Sequence, residues 1–196
     1  MAKTSKEWMR RHVTDPYVRK AREQGYRSRA AFKLVDLDKA ESFLRPGMTV
    51  LDLGAAPGGW SQVAAERVKP GGRVIAVDLL KIAPISGVTV LQGDFRHAAI
   101  DTPANVVLSD LSPNLSGIAN VDQVRWLELA LAAVELCRKV LKPDGVFVVK
   151  AFHGEAYDEL LAALRTAFAK VKVVKPPASR GESAETYVVA RGLRPL

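Results

Sequence analysis

Cysteine is nearly absent. Cys137 stands alone, which excludes a disulfide framework and a cysteine-built metal site. It falls inside a helical pattern, where a small apolar side chain packs. Histidine is as scarce: His12, His97 and His153 lie far apart, show no paired ligand spacing, and are assigned no metal. No apolar run approaches the roughly 20 residues of a membrane span. The first residues, Met1 to Lys6, have no apolar segment behind them of the kind a secretory signal needs. The serine-hydrolase elbow G-x-S-x-G is missing too, as are internal repeats, low-complexity tracts and linkers. A reducing, cytoplasmic setting without a membrane partner is expected, with a monomer as the default.

What is present is enough for one core. Of 196 residues, 48% are hydrophobic, as a globular domain requires. Short apolar runs at 50–53, 74–77, 88–91, 105–109 and 146–152 alternate with helical patterns at 60–68, 121–141 and 155–169. Two further runs, 171–174 and 186–190, follow each other without a helix between them. Alternation of this kind predicts an α/β fold, a mostly parallel seven-stranded sheet with helices on both faces, and the final pair predicts one antiparallel strand. Ahead of the first strand, Ser28 is expected to cap a helix running to Phe43, and Arg45-Pro46-Gly47 stops it.

The chain is organised around residues 49–60, T-V-L-D-L-G-A-A-P-G-G-W. A buried strand there feeds a helix through a loop of small residues, Gly54, Gly58 and Gly59 among them, against which a ligand can lie. Asp78 ends the next strand, at the distance where an acidic residue accepts hydrogen bonds from a ribose. Asp94 follows the third strand in G-D-F-R. The glycines do not keep the G-x-G-x-x-G spacing of dinucleotide sites. With Asp52, which starts the loop as Asp-x-Gly, Asp78 and Asp94 make three acidic strand ends, which suit ribose hydroxyls, an amine and a cationic sulfonium, whereas they repel a pyrophosphate. S-adenosylmethionine is therefore the expected cofactor.

The net charge of +8, with a pI near 9.7, gains meaning from its distribution. Lys3, Lys6, Arg10, Arg11, Arg19, Lys20, Arg22, Arg27, Arg29 and Lys33 crowd the start of the chain. Trp8, Tyr17, Tyr26 and Phe32 interleave with them, as on RNA-binding surfaces. A basic extension over residues 1–30, ahead of a catalytic domain over 31–196, is the simplest division.

Two residues stand out for chemistry. Lys150 interrupts V-F-V-V-K-A-F at the end of a strand expected to be buried on both faces, where a lysine stripped of water can serve as a general base. Asp110 ends the preceding strand and is placed to touch cofactor, substrate and Lys150, unless it merely begins a turn. Lys33 and Glu185, taken singly, read as a helix-surface lysine and an exposed loop carboxylate.

Several motifs in one order carry a resemblance. D-P-Y-V, G-Y-R-S-R-A-A-F-K-L, L-D-L-G-A-A-P-G-G-W-S-Q, V-D-L-L, G-D-F-R, L-S-D-L-S-P-N, V-V-K-A-F and S-R-G-E-S-A-E-T-Y-V-V-A span nearly the whole chain. Together they resemble the FtsJ-like ribosomal RNA large-subunit methyltransferases, bacterial enzymes that methylate a ribose 2′-hydroxyl of 23S rRNA. The resemblance implies a single-domain Rossmann-like class I methyltransferase. It also implies a lysine–aspartate–lysine–glutamate tetrad at Lys33, Asp110, Lys150 and Glu185, and cofactor contacts at Gly58, Trp60, Asp78, Asp94 and Asp110. The partner it implies is 23S rRNA within the large ribosomal subunit, with a uridine of the peptidyl-transferase A-loop as target. The sequence departs from the family at Ala31, where an aromatic is expected, and in the short interval between Asp94 and Asp110. Two other readings stay open: a catalytically idle RNA-binding or assembly factor on the same fold, and a base methyltransferase. The second would carry a motif such as N-P-P-Y, where this chain has D-L-S-P-N.

Overall fold

A computed structural model describes residues 15–114, 116–181 and 183–195. Lys3, Lys6, Trp8, Arg10, Arg11 and His12, and with them the first part of the expected extension, lie outside the described residues. Seven strands form one sheet: β1 (Thr49–Leu53), β2 (Arg73–Asp78), β3 (Val88–Gln92), β4 (Ala104–Ser109), β5 (Leu141–Phe152), β6 (Phe168–Val174) and β7 (Glu185–Leu193). Their order is β3-β2-β1-β4-β5-β7-β6. The first five pair in parallel, and β7 runs antiparallel to both β5 and β6. The expected α/β sheet with an antiparallel member is therefore the observed one.

Five helices among the described residues cover the two faces: α1 (Pro16–Glu23), α2 (Ala31–Glu41), α3 (Gly59–Arg67), α4 (Ala119–Val140) and α5 (Tyr157–Ala167). Alternation along β1 explains how one strand serves both cores. Val50 joins the cluster made with α2 and α3, while Leu51 and Leu53 join the one made with α4 and α5. Cys137 is fully buried in the second cluster, and burial pushes its thiol well above the ordinary value.

One local expectation needs correcting. Ser28 does not cap α2. The helix starts three residues later, with the Ala31 amide donating to the Ser28 carbonyl at 3.2 Å, because the Ser28 side chain is turned toward Gly59. α4 ends at Val140, just ahead of the breakers Lys142-Pro143-Asp144-Gly145, which lie within β5. Pairing with β4 resumes past a register shift between Ala104 and Val106, and that irregularity accommodates the proline.

The chain entering α2 is bound to the body, not hung beside it. Asp15 caps α1 by accepting from the Tyr17 amide and pairs with Arg29 and Arg180, 3.1 Å from each. Tyr17 and Tyr26 pack on Phe32, Ala21 and Ala178. Arg19, Lys20 and Arg22 on α1 remain exposed.

Candidate active site

Strand order reverses between β1 and β4, and open α/β sheets bind ligands at the carboxyl ends beside such a switch. A cavity of about 430 Å³ lies there, lined by Gly54 after β1, Asp78 at the end of β2, Asp94 after β3 and Asp110 after β4. Each acidic group has a defined partner. Asp78 accepts from the Ala56 and Leu80 amides, at 2.9 and 2.8 Å, and so holds the glycine loop in place. The Arg96 guanidinium forks onto Asp94, its Nε 2.9 and 3.0 Å from the two oxygens. That hydrogen-bonded cation holds the Asp94 carboxyl down at about 2.

Gly58, Gly59 and Trp60 lie at the start of α3 without lining this cavity. The Trp60 indole is turned into the core, 3% exposed. It donates to the Ala30 carbonyl at 2.8 Å and packs 5.5 Å from the Tyr187 ring. Gly58 has φ +112°, and a Cβ there would sit 2.5 Å from Ile85 Cδ1 and 3.1 Å from Arg27 Nη1. Arg27 matters because it gathers three carbonyls, Pro57 (3.1 Å), Ala83 (2.6 Å) and Pro84 (2.7 Å), and so ties the glycine loop to the loop after β2. The Gly58→Ala variant is expected to lose about 1–3 kcal/mol of stability from left-handed strain alone. Urea unfolding checks this, and an unchanged midpoint would show that the loop relaxes freely.

Beside the cavity, Lys150 of β5, Glu185 of β7 and Lys33 of α2 gather around Asp110, which follows β4. Lys150 lies opposite Tyr187 in the antiparallel pair, and Phe152 lies opposite Glu185. Period-2 alternation therefore puts Lys150, Tyr187 and Glu185 on one face, the face α2 covers. Lys150 is 7% exposed. Its Nζ donates to the Asp110 carbonyl at 2.8 Å and lies 3.2 Å from Asp110 Oδ1. Lys33, from α2, pairs with Glu185 at 2.6 Å, their side chains 12% and 11% exposed. The two residues that looked like surface groups are thus a covered ion pair.

Tyr187 joins the two pairs, and sequence reasoning missed it. Its hydroxyl donates to Asp110 Oδ1 at 2.8 Å, and Lys33 Nζ lies 5.9 Å from its ring centroid. Burial, reinforced by Asp110 and Glu185, pushes the phenol well above its ordinary value, so it stays a donor. The signal was available, since Tyr187 follows Glu185 by two in a strand. Asp52, expected with the other strand-end acids at the ligand, lies instead beneath the glycine loop and does not line the cavity. Asp52 is fully buried and accepts from Ser61 Oγ at 2.6 Å, while its other oxygen has no partner. Burial pushes its carboxyl up to about 7.

A seven-stranded sheet in this order, with its acidic cavity at the β1–β4 switch, is the Rossmann-like fold of class I methyltransferases. The FtsJ-like methyltransferase family matches residues 26–193, and the chain belongs to that family. It is 50% identical over 201 residues to ribosomal RNA large subunit methyltransferase E of Nitrosospira multiformis, covering 98% of each chain. Against the protein of the same name in Alcanivorax borkumensis the identity is 48% over 202 residues, covering 98% of this chain and 97% of the relative. Among solved structures, a Plasmodium falciparum protein described as a ribosomal RNA methyltransferase matches with a TM-score of 0.77 and 28% identity, over 86% of this chain and 98% of that one. Aeropyrum pernix fibrillarin, solved with natively bound S-adenosyl-L-methionine, shares the fold at a TM-score of 0.59 and 17% identity, over 84% and 75%.

Proposed function

We propose that this protein methylates the 2′-hydroxyl of a ribose in 23S rRNA, within the large ribosomal subunit, using S-adenosylmethionine. The target we propose is a uridine of the peptidyl-transferase A-loop. The observation that carries the reading is the meeting of Lys150–Asp110 and Lys33–Glu185 on either side of Tyr187, one strand away from the acidic cavity. The names of the full-length relatives supply the substrate class.

The cavity suits the proposed cofactor. Its volume falls in the range of small-molecule sites, and acidic side chains at three of its strand ends favour a ligand with a positive centre. Asp78 would hold the ribose hydroxyls and Asp94 the exocyclic amine, with Gly54 bordering the rest, while Gly58, Gly59 and Trp60 would act from behind the loop by fixing its path into α3. Bound there, the cofactor supplies a methyl group already activated by its sulfonium.

The protein's task is then to position and deprotonate a poor nucleophile. Asp110 takes two of the three Lys150 donor directions, through its carbonyl and Oδ1, and fixes the amine. What remains of Lys150 faces the substrate hydroxyl, to steer its proton or accept it and release it to water. Lys33 and Glu185 orient the sugar, and Tyr187 keeps Asp110 and Glu185 in register. The basic groups of α1, with those of the preceding extension, hold phosphates, so binding should weaken as salt rises.

The test uses large ribosomal subunits lacking the modification, labelled methyl donor and nuclease digestion of the product. Label on a ribose 2′-oxygen is the expected result. Label on a base, or none at all, would overturn the reading.

A further inference from the structure

Just past Lys150 the chain carries an aromatic pair that the methyl-transfer site does not use. Lys150 Nζ lies 5.6 Å from the centroid of the Phe152 ring. Phe152 packs edge-on against Trp126 at 5.7 Å, and the Trp126 indole donates to the Lys150 carbonyl at 3.2 Å. His153 comes next. Its amide donates to the Ala184 carbonyl at 3.0 Å, so pairing with the Glu185 end of β7 continues to this residue. The His153 ring then meets Tyr157 with centroids 4.4 Å apart and planes 32° apart. Gly154 seats the turn between them against α4, where a Cβ would strike the Gln123 amide at 2.5 Å.

A stacked pair serving only the core would be buried. Here His153 is exposed and Tyr157 half-buried. Among the described residues, neither ring makes a hydrogen bond. An open aromatic step that follows Lys150 and Phe152 along the chain offers what an unstacked base needs.

Charge decides which part of a nucleotide goes there. The 2′-carbon of a ribose is flanked by C1′, which bears the base, and C3′, which leads to a phosphate. On one side of the sheet, α1 packs on Phe32 of the helix that carries Lys33 and exposes Arg19, Lys20 and Arg22. On the other is the turn into α5, where Glu155, Asp158 and Glu159 are exposed around the pair. Carboxylates repel a phosphate and leave the flat, uncharged base as the group suited to that side. We propose that the base of the target nucleotide stacks on His153 and Tyr157 while its phosphates run over α1. This rests on the ribose reading above.

The experiment compares the H153A/Y157A and H153F/Y157F variants with the wild type, on large ribosomal subunits lacking the methyl group. The double alanine variant should lose about 10-fold or more in kcat/KM for the particle, and the double phenylalanine variant should stay within about 3-fold of the wild type. Calorimetry should give the same S-adenosylmethionine Kd for all three, and thermal midpoints report their folding. Unimpaired kcat/KM in the alanine variant, with the wild-type methyl on the ribose, would overturn the stacking alone. Equal losses in both variants would overturn it as well, since the phenylalanines keep the flat faces. A wild-type methyl on a base would overturn the ribose reading first and this one with it.

Discussion

The Lys150→Ala variant is expected to lose methyl transfer by at least about 10³-fold while binding S-adenosylmethionine within about 2-fold of the wild type. A positioned proton acceptor contributes roughly 10²–10⁴-fold, and Lys150 also organises Asp110 through two contacts. It does not line the cavity around Gly54 and Asp78, so cofactor affinity should be spared. Removing the amine leaves the Asp110 carboxylate, 19% exposed, with the Tyr187 hydroxyl as its remaining partner, and some stability should go with it. Arginine at this position keeps the charge but not a proton-accepting amine, and Lys150→Arg should be nearly as inactive. Single-turnover transfer to ribosomal subunits, paired with calorimetry of cofactor binding, separates the two effects. Wild-type transfer by the alanine variant would remove Lys150 from the chemistry.

The second large effect concerns stability against pH. Asp52 is buried beneath the glycine loop, and desolvation raises its carboxyl to about 7. The Ser61 hydrogen bond opposes that rise, while Asp110 and Asp78 add to it. Below about pH 4 the group is protonated both folded and unfolded and contributes no pH dependence. Between about 4 and 7 the unfolded chain releases a proton that the folded chain retains, so stability falls as pH rises through that window. Above about 7 the folded group is ionised too, and the full cost persists. At about 1.4 kcal/mol per pKa unit, the loss is on the order of 4 kcal/mol. Asp52→Asn cannot ionise. It should be no more stable than the wild type at pH 4, where its amide nitrogen is buried without an acceptor, and more stable at pH 8. Urea unfolding of both proteins at pH 4, 5.5, 7 and 8 measures the crossing. Parallel stability curves would show that Asp52 does not titrate in this range.

Much of this architecture was legible in the sequence because buried parallel strands leave continuous apolar runs. Runs at 50–53, 74–77 and 105–109 match β1, β2 and β4 within a residue or so. The glycine loop announced itself by composition, and the join of the last two strands without a helix announced the antiparallel member. Other features depend on contacts between distant parts of the chain. Pro143 and Gly145 look like breakers until β4 supplies an irregular partner for them. Ser28 looks like a cap until Gly59 takes up its side chain. Lys33 and Glu185 are separated by most of the chain, and nothing local marks either as covered. Only the docking of α2 over the β5–β7 face makes them a pair. Asp52 reads as one more strand-end acid, because complete burial is set by what packs above it.

The place of β7 in the sheet has a consequence for how the site is held together. Glu185 and Tyr187 sit at the beginning of β7, between β5 and the outermost strand, β6. The cavity at the β1–β4 switch is lined by residues between Gly54 and Leu129, none of them from β6 or β7. Among the described residues β6 is tied to the sheet through β7 alone. Fraying at that edge would therefore loosen Glu185 and Tyr187 before it reached Gly54, Asp78 or Asp94.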